Sequence, residues 1–165
     1  KRADGMWDIE GQIVDQKTYD FDNRFLGRVT SGTPVHEMWI RLTIDDTLTI
    51  REVEAVTDHA PFPLCPAITP NFQRLKGMSL KPGFNNRARE LLGGVEGCTH
   101  LVDLLRPVAT TAYQTIMPLR EREAREAKEV AATRTSRPGL LDSCHALASD
   151  SPIVKELFPA SYTGG

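Results

Sequence analysis

The sequence has no apolar run approaching the roughly 20 residues that a membrane-spanning helix needs, so no membrane partner is expected. Its opening, KRADGMWDIEG, lacks the apolar core of a secretory signal, and a cytoplasmic protein is expected. Basic excess is missing too: 20 Lys and Arg stand against 22 Asp and Glu, a formal net charge of -2. Nucleic acid and anionic membranes attract proteins through a cationic face, so neither is expected as a partner. Cysteine is scarce. Three widely spaced Cys do not make a disulfide framework, and reduced thiols fit better. Also absent are a nucleotide-binding glycine loop, a G-x-S-x-G elbow, an H-E-x-x-H helix and a paired C-x-x-C, which removes several common enzyme types. A small-molecule substrate is the expected partner, with homo-oligomerisation left open.

What is present is an ordinary globular composition. With 165 residues, 40% of them hydrophobic and 25% charged, the chain suits a single domain over residues 1–165 with a core of its own. Apolar and polar residues alternate in MWDIEGQIVD, VHEMWIRLTI and LTIREVEAVT, the period of half-buried strands. The short polar stretch DDT between the last two predicts a hairpin over residues 35–57, with residues 6–15 as an added strand. One face of the hairpin must be buried, either the set Met38, Ile40, Leu42 and Ile44 or the opposite set with Trp39. Helices are predicted in TPNFQRLKGM and NNRARELLGG, each ending in Gly, and in a long stretch from Cys98 that Pro107 and Pro118 should kink or divide. The run REREAREAKE from Arg120 has the mixed charge of a solvated helix, and a last short helix should begin near Ser151 and Pro152. Strands first and helices after give an α+β fold: a small, mainly antiparallel three-stranded sheet covered on one face by helices.

The chemistry-bearing residues cluster in few places. GCTHL puts Cys98 and His100 two residues apart where a loop enters the long helix, out of only three Cys and four His in the chain. A helix N-terminus lowers a thiol's pKa and offers unpaired N–H groups to an anion. The bland account is that Cys98 is core and Thr99 caps the helix. His36 opens a strand, where an imidazole is as readily structural as functional. His59 lies in the turn-like TDHAPFP and Cys65 between Leu64 and Pro66, surroundings that suit a cap and a buried inert thiol. Cys144 and His145 in DSCHAL read as core plus surface, and Trp7, Trp39 and Tyr113 as core or pocket wall.

Five segments in order, DGMWDIEGQIVDQKTYDF, GTPVHEMWIRLTIDD, EAVTDHAPFPLC, GCTHLVDLL and LLDSCHAL, resemble the bacterial family known as domain of unknown function 2889 over nearly the whole chain. The strand pair followed by helices and a Cys/His helix start is also similar to the iron-sulfur cluster scaffold proteins. That likeness implies a Cys where this chain has His36 and an Asp where it has Met38; thiolate ligands are replaced, which argues against cluster assembly. The family resemblance further implies bacteria that degrade lignin-type aromatics, where lyases release a hydroxymethyl group as formaldehyde.

Three function classes follow. The first is a cofactor-independent enzyme, a lyase, with His36 or His100 as general base, Asp58 orienting it and Cys98 in support, acting on an organic, aromatic substrate. The second is a metal-binding or iron-sulfur-related scaffold protein holding Zn or Fe through His36, Cys98 and His100, with His59 or Cys65 as fourth ligand. The third is a module that only displays a binding surface. A structural zinc site usually shows compact ligand pairs at both ends, and only one pair is compact here, which favours the enzyme. Either site requires the strand start at His36, the turn after Asp58 and the helix start at Cys98 to meet at one sheet edge, with His36 and His100 within about 10 Å.

Overall fold

The computed structural model describes residues 1–126 and 140–164. The chain divides into two units, Lys1–Arg122 and Glu123–Gly165. The first carries the α+β fold. Strands β1 (Trp7–Gln16), β4 (Pro34–Ile44) and β5 (Ile50–His59) make an antiparallel sheet in the order β1-β4-β5, and a small hairpin of β2 (Phe21–Asn23) and β3 (Gly27–Val29) interrupts the connection from β1 to β4. That hairpin is additional to the three expected strands. After the sheet come a 3-10 segment (Cys65–Leu75), α1 (Phe84–Leu92) and α2 (Thr99–Glu126).

The register settles which face is buried. Trp7, Ile9, Gly11, Ile13 and Asp15 of β1 stand opposite Ile44, Leu42, Ile40, Met38 and His36 of β4, and the apolar members pack with Leu101, Leu105, Val108, Ala112 and Ile116 of α2. Met38, Ile40, Leu42 and Ile44 are all essentially inaccessible, so the set containing Trp39 faces away. The outward face is polar: Arg41 bonds Glu10 and Glu54, and Thr43 donates to Asp8. Period-two alternation thus sends one set of side chains to the helix and the other to an ion-paired surface.

Glycine at position 11 lets the helix come close. A Cβ there would lie 2.7 Å from Val108 Cγ2, in the tight layer between β1 and α2. Gly11→Val should therefore destabilise the protein by about 1–3 kcal/mol through overpacking, seen as a lower urea midpoint, and Val108→Ala in the same chain should recover part of the loss. Equal midpoints for Gly11→Val and the native chain would mean that the layer is looser than drawn.

The β4–β5 connection is built on Asp45, whose carboxylate accepts from the backbone N–H groups of Thr47 and Thr49, the Thr47 hydroxyl and Arg51. Leu48 takes φ 66° in this turn, a left-handed conformation that Leu adopts at a cost, and its side chain enters the core. Partial desolvation pushes the Asp45 carboxyl up, but the hydroxyl, backbone and guanidinium donors outweigh it and hold it down at about 2, against an ordinary 3.8. Only 12% of the side chain is exposed, so the preference translates into stability on the order of 2 kcal/mol. A carboxyl depressed in the folded state contributes that stability in full above its unfolded value and loses it as pH falls toward the folded one. The unfolding free energy should accordingly drop between about pH 4 and pH 2, and Asp45→Asn should flatten that part of the curve. An unchanged slope in the variant would assign the acid sensitivity to other carboxylates.

Two helical expectations change. The stretch that includes TPNFQRL is 3-10 over Cys65–Leu75, because Pro66 and Pro70 lack N–H donors and Phe72 and Leu75 are pinned in the core. α2 runs undivided through Pro107 and Pro118. Both prolines lie on its exposed side, as do Asp103 and Gln114 four residues before them, where a carbonyl without its helical donor can turn to water, while the buried stripe of Leu101, Leu105, Val108, Ala112 and Ile116 packs on the sheet. The mixed-charge run is helical to Glu126; its remainder lies outside the described residues. In the second unit, α3 (Pro152–Leu157) begins as expected, with Ser151 Oγ accepting from Val154 N–H. No helix among the described residues is long and apolar enough to cross a membrane.

Candidate functional site

Antiparallel order brings the end of β1, the start of β4 and the end of β5 to one edge of the sheet, and the N-terminus of α2 arrives there as well. His36 is the first residue of β4 on the helix-facing side after Pro34, and Asp15 is its partner on β1. The Asp15 carboxylate accepts from the His36 backbone N–H at 2.6 Å and lies 2.9 and 3.1 Å from His36 Nδ1. This double attachment fixes the ring, holds the proton on Nδ1 and leaves Nε2 as the basic nitrogen. Partial desolvation works against ionisation of Asp15, but the His36 backbone N–H and imidazole, with a further contribution from His100, take its carboxyl below the ordinary carboxylate value. The His36 side chain is 17% exposed, sheltered yet reachable.

His100 lies against it, with ring centroids 4.1 Å apart and planes tilted by 38°. Its Nδ1 is 4.0 Å from Cys98 Sγ, and the Cys98 thiol points to Met38 Sδ at 3.7 Å. Val102 N–H donates to the Cys98 carbonyl, so Cys98 occupies the position just before the helix, in place of the expected Thr99. The site therefore contains Asp15, His36, Cys98 and His100 over a Met38 floor. An ionised acid, an oriented imidazole and a second imidazole in contact can take up a proton and return one within a few ångströms.

Of the expected residues, His36, His100 and Cys98 come together, with the two imidazoles well inside the expected separation. Asp58 does not orient either imidazole. A register shift between Glu37 and Met38 leaves it between the paired residues Thr57 and His59, and its carboxylate accepts from Trp39 Nε1 at 3.2 Å on the outward face. Asp15 takes the orienting role. Its signal was parity: in WDIEGQIVD the residues at alternate positions face the helix, and Asp15 is the acid that continues that row. The four-residue metal set is not assembled. His59 bonds the Glu37 carboxylate at 2.9 Å on the outward face, Cys65 opens the 3-10 segment, and among the described residues no three His, Cys, Asp or Glu side chains gather as ligands. Cys144 is exposed and His145 starts a 3-10 turn in the second unit.

No curated protein matches the chain, and no solved structure does, so the likeness to iron-sulfur scaffolds gains no support. Residues 1–114, which include every member of the site, match the family described as protein of unknown function (DUF2889), and the chain belongs to that family.

Proposed function

We propose that the Asp15, His36 and His100 cluster is the catalytic centre of a cofactor-independent lyase that cleaves a carbon-carbon bond in an aromatic alcohol and releases formaldehyde. The observation that carries the acid-base part is the Asp15-anchored His36 ring in contact with His100. In this reading His36 Nε2 removes the proton of a primary hydroxyl as the C–O bond becomes the carbonyl of formaldehyde. The carbon-carbon bond breaks, and its electron pair stays on the carbon left behind, delocalised into an electron-accepting group of the substrate. The imidazole pair then returns that proton to the carbon left behind, so both rings end in their starting states. Cys98 and the N–H groups at the start of α2 favour negative charge as it develops nearby.

The substrate class follows the family resemblance, and the surroundings suit it. Phe25 and Phe62, both half-exposed, meet edge to face at 5.6 Å. They come from the two chain segments that leave this same edge of the sheet, the β2–β3 hairpin and the stretch after β5. Such rings offer stacking partners to an aromatic substrate. The test is to incubate the purified protein with aryl-substituted primary alcohols of the lignin type and trap released formaldehyde. Turnover that disappears in His36→Ala supports the proposal. Formaldehyde release at the same rate from His36→Ala, or none from the native protein on any such alcohol, overturns it.

A further inference from the structure

Cys98 and His100 serve the proposed proton transfer, but their contact with Met38 brings together two sulfurs whose metal chemistry that reaction does not use. Cys98 Sγ stands 3.7 Å from Met38 Sδ and 4.0 Å from His100 Nδ1. Donors that share one metal ion through bonds of about 2.0–2.3 Å lie roughly 3.5–4 Å from each other, so both measured separations already suit a common ion. The sulfur of Met38 belongs to a side chain only 1% exposed in the sheet core, whereas Cys98 and His100 are half-buried at the first turn of α2. Cys98 Sγ is in contact with both the fixed thioether and the imidazole, so it is the donor that joins the set.

From this we infer that Cys98, Met38 and His100 form a binding site for a soft monovalent cation, Cu(I). The donor set decides the ion. Among the described residues no three His, Cys, Asp or Glu side chains are placed to hold one metal ion together, so a divalent ion such as Zn(II), which takes nitrogen, oxygen and thiolate donors, lacks its ligands. Thiolate with thioether is the combination that selects Cu(I), and imidazole completes it. His36, whose Nδ1 is held by Asp15, is assigned to the proton chemistry and not to this donor set. On binding, the Cys98 thiol gives its proton to water, its sulfur bonds the metal as thiolate, and copper remains Cu(I) throughout.

An anaerobic titration of the full chain with Cu(I), supplied as its acetonitrile complex against the chelator bicinchoninate, tests the assignment. One equivalent should be withheld from the chelator by the native protein, by a Cys65→Ser/Cys144→Ser variant that lacks the other two thiols, and by His36→Ala. Cys98→Ala should lose that equivalent, and Met38→Leu should hold it about 10-fold less tightly or worse. Far-ultraviolet circular dichroism shows whether each variant is folded; should Cys98→Ala fail to fold, the volume-conserving Met38→Leu decides. The assignment is overturned if the native chain withholds no copper, if the Cys65/Cys144 variant or His36→Ala loses it, or if Met38→Leu binds as tightly as the native protein.

Discussion

His36→Ala should lower the turnover number by about 100-fold or more, the usual share of a positioned general base, while shifting the melting temperature by only a few degrees. The size follows from what is removed. In the proposed mechanism His36 contributes the basic nitrogen itself, and a 100-fold loss corresponds to about 2.7 kcal/mol of transition-state stabilisation. The small thermal effect follows from where the ring sits: it lies at the sheet edge, with an Asp15 partner whose side chain is 54% exposed and can be solvated when the imidazole is gone. Asp15→Asn adds a control on orientation. Its amide can present either oxygen or nitrogen to Nδ1, which unsettles the tautomer, so turnover should fall by about tenfold or more with the folded state intact. A melting temperature that collapses in His36→Ala, with residual activity in step with the folded fraction, would make the residue structural and remove the base from the mechanism.

The face of the sheet that carries the candidate site was half legible in the sequence. Alternation in VHEMWIRLTI fixed a strand and the parity that joins His36 to Met38, Ile40 and Leu42, but alternation is symmetric, and only burial against α2 shows which parity turns inward. The Cys98–His100 pair was visible through the scarcity of both residue types. Asp15 was not, because an acid at the end of a strand looks like any solvated strand end until pairing with β4 sets it opposite His36. Asp58 and Asp15 lie almost equally far from His36 along the chain, and one register shift sends the Asp58 carboxylate to Trp39. Sequence distance is a poor guide at a sheet edge where β1 and β4 are joined through an intervening hairpin. Pro107 and Pro118 do not divide α2, because their cost is local, a missing donor on its exposed side, whereas the buried stripe from Leu101 to Ile116 packs the opposite side.

The segment Cys65–Leu75 shows how far tertiary packing overrides local preference, and it yields the largest stability effect expected. A 3-10 helix has poorer hydrogen-bond geometry than an α-helix and seldom persists beyond three or four residues, yet this one spans 11 with two prolines. Its anchors lie elsewhere in the fold: Gln73 donates to the Val53 carbonyl of β5, Asn71 and Arg74 both bond Glu96, and Phe72 and Leu75 are wholly inaccessible. Phe72 is the largest of these anchors. Replacing it with Ala removes most of a buried aromatic side chain from between the segment and the sheet, and a segment with weak internal bonding has little of its own to retain its shape around the cavity. Phe72→Ala should cost about 3–5 kcal/mol, near the upper end for core truncations, and should lower the urea midpoint accordingly. The three hydrogen bonds should not hold the segment alone, so amide exchange in residues 65–75 should quicken more than in β1, which lies at the far side of the sheet. Uniform acceleration across both would show that the segment unfolds only with the whole unit, and a loss below 1 kcal/mol would show that it keeps its conformation without the ring.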